Sequence, residues 1–228
     1  MPAGVTRRLL LGLGLGALAA VARPRRAAGA AARGPLYIQP LGADLEAADV
    51  ELVRRALASM IGVEVRLLPR AALPAVAYYP PRRRYRAERL LDVLDARLPA
   101  GGSRILGLTG ADISTTKGAV HDWGVLGLGR IGGVSSVISD FRCRMKARGA
   151  AHARTRLAKV AVHESGHTLG LEHCPTRGCL MEDAEGAVAT CDREYDFCAR
   201  CRKLVAAAGW PLPPSPKVPW ERPDDPPR

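Results

Sequence analysis

Three of the chain's five histidines fall in the stretch VHESGHTLGLEHC at 162–174, with a glutamate beside the first and a cysteine directly after the last. On a helix, His163 and His167 are four apart and project from one face, one turn above the other. Two imidazoles so placed can share one tetrahedral Zn2+. Glu164, rotated around the axis from His163, can lean over the metal's open side without joining its coordination shell. Gly170 permits a left-handed turn at low steric cost, which swings the chain so that His173 can reach the same ion. Three neutral ligands leave a fourth position for water, whose pKa zinc lowers to about 7. Glu164 can accept its proton, and the hydroxide can attack a peptide carbonyl polarised by the same ion. A bare His-Glu-x-x-His arises by chance on many helices, but Gly170 and His173 at fixed offsets make coincidence a poor account.

The cysteines follow at once. Cys174 and Cys179 are separated by four residues, and Cys198 and Cys201 form a Cys-x-x-Cys pair. Four thiolates in two close pairs suit a closed structural zinc site. Disulfides are the competing reading for an exported chain. Export after folding, for which the N-terminus argues below, favours zinc, because the ion can occupy the thiolates in a reducing cytosol first. Cys143 and Cys191 are left over, either as buried thiols or as a pair.

Taken together, these residues resemble the archaemetzincins. That family's pattern is the long zinc signature, a cysteine after the third histidine, four residues, Cys-x-Met, a spacer, and Cys-x-x-Cys. Here it runs His163, Glu164, His167, Gly170, His173, Cys174, Cys179, Met181, Cys198, Cys201, with a 16-residue spacer after Met181 that is one short of the family's usual length. The likeness extends through YIQPLG, PRRRYRAERLLDVL, RILGLTGADI and SSVISDFR, from about residue 36 to residue 205. The resemblance implies a metzincin-like α/β (α+β) domain. Its mixed twisted sheet would carry a backing helix and the active-site helix, above a small C-terminal part with a four-cysteine zinc site. It also implies a zinc metallopeptidase, endo- or aminopeptidase, acting on a peptide or protein substrate. Two zinc ions per chain follow: a catalytic one on His163, His167 and His173 with Glu164 as general base, and a structural one on Cys174, Cys179, Cys198 and Cys201. Met181 is expected in a turn beneath the catalytic zinc. The alternative is a zinc-loaded protein that binds peptides without cutting them.

The elements that must position these groups can be read from periodicity. LYIQPL (36–41) is a strand ended by Pro40 and Gly42. Residues 43–62 carry apolar side chains at helical spacing, with Gly62 as a stop. A strand at 63–68, a helix at 85–98 and a buried strand at 104–110 follow, and a helix from about 153 to 169 carries the histidines. Between them, 122–142 is a Gly-rich β region containing GLGRIG. That spacing matches a dinucleotide fingerprint, but β-branched residues follow where a helix should open, and no acid lies about twenty residues on to hold a ribose. Glycines in a hairpin beside a cleft, where a substrate backbone can approach, are the better account. The strand region at 122–132 is a candidate edge for an extended peptide.

The ends read differently. Residues 1–33 hold six arginines and no acid, half of the chain's formal charge of +12. A basic start, the pair Arg7-Arg8, an apolar stretch at 9–22 and small residues thereafter resemble a twin-arginine export signal. Fourteen apolar positions are too few to span a bilayer, so no membrane insertion is expected once the signal is removed; an uncleaved anchor or a cytoplasmic protein are the alternatives. The expected destination is the periplasm or the exterior. The remaining surplus, much of it in PRRRYR at 81–86, reads as a solvated face and not as a nucleic-acid footprint. Domains are therefore expected at 1–33 (signal), 34–208 (peptidase) and 209–228, a tail with 8 of the 18 prolines.

Overall fold

The structure is a computed structural model, and residues 33–214 and 216–221 are described. Except for Arg33, the export signal lies outside the described residues.

The strand expected at 36–41 forms as β1 (Leu36–Leu41), buried along its whole length. Such a strand needs cover on both faces, and alternation along the sheet supplies two cores. Leu36, Ile38, Leu106, Leu108 and Ile138 enter one; Tyr37, Ile105 and Val137 enter the other. The elements that follow are α1 (Ala47–Ile61), β2 (Val65–Leu67), β3 (Tyr78–Tyr79), β4 (Arg84–Arg86), α2 (Ala87–Arg97), β5 (Arg104–Thr109), β6 (Ile113–Lys117), β7 (Val120–Val125), β8 (Gly127–Gly129), β9 (Ser135–Ser139), α3 (Asp140–Cys143), α4 (Ala150–Thr168), α5 (Thr190–Arg193) and α6 (Ala199–Ala207).

Among the described residues a five-stranded sheet has the order β2-β1-β5-β9-β8, parallel except for β8, which runs antiparallel to β9 at the edge. Helices α1 and α4 pack on one face, while the Leu90, Leu91 and Leu94 stripe of α2 covers the other. A second sheet, β3-β4-β6-β7, carries the β6–β7 hairpin.

Several boundaries differ from the sequence expectation. Pro40 lies within β1 and does not end it; Gly42, at φ 80°, marks the turn. The carbonyls of Ile38 and Pro40 both face the β2 side, and β2 ends at Leu67, so the proline leaves no ladder acceptor unmet. Tyr85 and Arg86, expected at the head of α2, pair instead with Ile113 and Ser114 of β6. Phe141 and Arg142 are helical, in α3, and α4 starts three residues before the expected 153. The PRRRYR run is only partly solvated. Arg84 holds Asp112 at 2.6 Å and Asp122 at 3.1 Å, and buried Arg86 reaches Thr116 Oγ1 and the His121 carbonyl.

Among its described residues the proline-rich tail has no helix or strand, yet Trp210 and Trp220 are buried in the α1–α4 core. Arg33 and Arg104 each lie 4.6 Å from the Trp210 ring, and Trp220 Nε1 donates to the Tyr195 carbonyl. Arg202 donates to the Pro213 carbonyl at 2.9 Å. The segment is an extended strap held by side chains. No helix of the described residues is long and apolar enough to cross a membrane.

Candidate active site and metal centres

Helix α4 sets the first two imidazoles. His163 and His167 point the same way, with their Nε2 atoms 3.2 Å apart. The helix then ends in a Schellman turn: Gly170 at φ 96°, its N–H on the His167 carbonyl, and the Leu171 N–H on the Gly166 carbonyl. This bend brings His173 back, and one ligand nitrogen from each of the three histidines lies within 4.8 Å of the others. For zinc–nitrogen bonds of about 2.0–2.1 Å, ligands in a tetrahedron sit roughly 3.3–3.4 Å apart. The His163–His167 pair is already at that separation.

The opposite ring nitrogens decide which atoms face the ion. His163 Nδ1 lies 2.6 Å from the Leu180 carbonyl, His167 Nδ1 lies 2.7 Å from the Leu171 carbonyl, and His173 Nδ1 lies 3.3 Å from Asp183 Oδ2. Each acceptor calls for a proton on Nδ1 and leaves Nε2 as a lone-pair donor, the tautomer that binds zinc. Burial, with His167 alongside, drops the His163 pKa to about 3, and burial lowers that of His167. Both rings are therefore neutral, as ligands must be.

Glu164 is 7% exposed and lies against β8. Burial lifts its carboxyl pKa to about 8, against a hydrogen bond from the Gly129 backbone that lowers it. Two of the three glycines of GLGRIG owe their type to this contact, while Gly132 sits at φ 68°. A Cβ on Gly127 would sit 2.5 Å from Glu164 Cγ, and one on Gly129 would run into the Glu164 carbonyl. Both residues do line the cleft, but α4, not an approaching substrate, is what excludes their side chains. Met181 is fully buried, and its Sδ would lie 2.5 Å from a Cβ on Gly166, so that glycine lets the methionine slide under the helix between the two histidine ligands.

The cleft encloses about 710 Å³ and is lined by the three histidines, Glu164, β7, β8 and the 183–188 turn. At one end Trp123 of β7 reaches across, so that a Cβ on Gly186 would come 3.2 Å from its indole. Trp123 lies in the 122–132 edge expected from sequence, whereas Arg142 and Asp183 are among the lining residues that sequence reasoning did not single out. Asp183 follows Met181 by two and could have been suspected as a histidine partner. Arg142 stood only as the last residue of SSVISDFR, and nothing in that string aims it at the cleft.

Cys174, Cys179, Cys198 and Cys201 converge as well, and all six cysteines are free. The Cys174–Cys198 and Cys179–Cys201 sulfurs are each 3.7 Å apart. Zinc–sulfur bonds of about 2.3 Å give a tetrahedral edge near 3.8 Å, whereas a disulfide needs about 2.05 Å. Desolvation lifts the Cys179 thiol to about 11 and Cys201 further, while at Cys198 burial is overcome by hydrogen bonds from Cys201 and Cys174, which lower it to about 6. Four thiols packed this closely require a cation before they can all ionise. Cys143 and Cys191 are buried, and burial raises both thiols, Cys143 to about 12.

The chain matches the model of peptidase family M54 over residues 59–207. It is 33% identical over 156 residues to an archaemetzincin of Haloarcula marismortui, covering 65% of this chain and 87% of that protein. With the archaemetzincin of Archaeoglobus fulgidus the identity is 32% over 170 residues, covering 75% and 98%. The crystal structure of an archaemetzincin from Methanopyrus kandleri superimposes with a TM-score of 0.65 at 28% identity, covering 78% of this chain and 96% of that one. That of the Archaeoglobus fulgidus protein gives 0.62 at 33% identity, covering 75% and 99%.

Proposed function

Because this chain belongs to peptidase family M54, the zinc-metallopeptidase family of the archaemetzincins, we propose that it hydrolyses peptide bonds with Glu164 as general base and later as proton donor to the leaving amine. His163, His167 and His173 would hold the catalytic ion through Nε2. The observation that carries this reading is the convergence of three imidazoles whose Nδ1 atoms are each engaged elsewhere. When bound, zinc supplies Lewis acidity that polarises a carbonyl and acidifies water to a pKa near 7, and its charge favours the ionised form of Glu164.

The chain's own residues do the rest. Glu164, buried beside His163 and held by Gly129, takes the proton of the attacking water and returns it to the departing nitrogen. The free edge of β8 offers backbone groups to an extended peptide. Cys174, Cys179, Cys198 and Cys201 would hold a second, structural zinc. Since Cys174 directly follows His173, that site would pin the helix exit and fix the third ligand. Endo- and aminopeptidase action both fit the cleft, and matched peptides with free and acetylated N-termini distinguish them. Residues 1–33 would direct the protein to the periplasm or exterior, which cell fractionation tests.

Incubation with a peptide library, with and without chelator, is the direct experiment. Chelator-sensitive cleavage supports the peptidase reading; binding with no products supports a peptide-binding protein in its place. Glu164→Ala is expected to keep zinc and lose hydrolysis, and turnover in the cleanly purified variant refutes the role given to Glu164.

A further inference from the structure

Arg142 lies in the single turn of α3 and lines the cleft, with its side chain 21% exposed. Its guanidinium is held from one side only. Nε lies 3.0 Å from Asp112 Oδ1 and Nη2 lies 3.2 Å from Asp112 Oδ2, whereas Nη1 has no acceptor among the described residues. The group occupies the space where Gly124 lacks a side chain; a Cβ there would fall on the guanidinium itself. Gly124 and Arg142 therefore form one stretch of cleft wall, with a cation where β7 carries no side chain.

Local charge is not balanced. Asp112 serves two arginines, since Arg84 Nε lies 2.6 Å from its Oδ2, and Asp122 is shared by Arg84 and Arg82. Three guanidinium groups thus face two carboxylates. The cleft's own acids other than Glu164 are Glu172, Asp183 and Glu185; Asp183 lies 3.3 Å from His173, none of the three forms an ion pair with Arg142 among the described residues, and Met145, three residues on and also in the lining, is apolar. A half-used guanidinium fork in a walled, partly apolar recess is a receptor for a carboxylate, which it can bind through parallel N–H bonds. Gly124 precedes Gly127, which packs on Glu164, by three residues, or about 10 Å of extended chain. A peptide residue one or two positions from the scissile bond spans that distance with its side chain.

We propose that Arg142 is a specificity residue that binds a carboxylate of the substrate near the scissile bond, either an Asp or Glu side chain or the terminal carboxylate of a short peptide. The proposal rests on the peptidase reading, and its test separates the two.

A peptide cleaved in the library is remade with Glu or Gln at each of the two positions on either side of the scissile bond, each version as free acid and as amide. At one position wild type is expected to favour Glu over Gln by about tenfold in kcat/KM, mainly through KM. A preference for free acid over amide instead identifies the terminal carboxylate as the ligand. Arg142→Gln abolishes the preference, and Arg142→Lys, a point charge without the fork, keeps part of it. Melting and zinc content confirm that each variant is folded, and the wild-type peptide series together with Arg142→Lys stands if Arg142→Gln is not. Equal rates on charged and neutral peptides, or a preference that survives in Arg142→Gln, overturns the proposal. If no library peptide is cut, the hydrolytic reading falls, and the fluorescence anisotropy of labelled peptides that the zinc-loaded protein binds, each remade with Glu or Gln and as free acid or amide, decides. Loss of an acidic preference on adding Arg142→Gln supports the assignment, and affinities indifferent to charge sink it.

Discussion

Gly127 and Gly129 stand two residues apart on one short strand, yet alanine should affect them in opposite ways. Neither has a positive φ, so alanine fits the backbone at both and gains about 0.4–1 kcal/mol by narrowing the unfolded ensemble. What the new methyl meets is different. At 129 it strikes the Glu164 carbonyl and comes 3.0 Å from His167 Cβ, which are parts of α4 that move only if the helix moves. Overpacking of that kind costs about 1–3 kcal/mol. A net loss of roughly 1–2 kcal/mol is then expected, or about 2–8 °C in Tm for a domain of this size. At 127 the nearest atoms to the methyl are Glu164 Cγ, Oε1 and Cδ, at 2.5–2.9 Å, and that side chain can rotate away. Stability should hold or rise slightly, while a displacement of the carboxylate by about 1 Å costs up to about a hundredfold in kcat. Calorimetry, zinc analysis and peptide turnover on the two variants make the comparison. If Gly129→Ala melts with wild type, or Gly127→Ala melts as low as Gly129→Ala, the helix-against-strand explanation of these glycines is wrong.

Two further outcomes can be checked on the purified protein. Metal analysis should find two zinc per chain in wild type and one in Cys201→Ser, with a lower Tm because a buried ligand is lost; a wild-type content of one would favour disulfides, and two in the variant would exclude Cys201 as a ligand. Asp192 is partly buried, which pushes its carboxyl up, but hydrogen bonds from Arg156 and His152 prevail and hold it at about 2, below the ordinary 3.8. A carboxyl lowered by folding stabilises above its unfolded pKa and loses that contribution as pH falls through its folded value. The Tm gap between wild type and Asp192→Asn should thus be full near neutral pH and close between about pH 4 and 2, and a gap independent of pH would contradict the ion-pair account.

The chemistry was legible in the sequence because it is local. His163, Glu164, His167, Gly170 and His173 are set by one helix and its exit, so their offsets in the chain are nearly their geometry. The cysteine pairs were legible as a set for a similar reason; zinc was favoured over disulfides from the export signal alone, and the 3.7 Å sulfur separations add the geometric argument. Strand β1 and helices α1, α2 and α4 follow from hydrophobic periodicity, with edges shifted where a neighbouring strand claimed residues, as β6 claims Tyr85 and Arg86. What the sequence could not contain is contact between distant segments. GLGRIG shows its glycines but not that α4 lies on Gly127 and Gly129, and the proline-rich tail shows its composition but not that Arg33 and Arg104 both lie over the Trp210 ring. Arg142 closes the string SSVISDFR, but that string does not show its guanidinium lying on Gly124, which came only from the packing of α3 against β7. Local spacing by itself determined which groups can share an ion. Only tertiary packing, which brings together residues with no fixed separation along the chain, decided what lines the cleft around them.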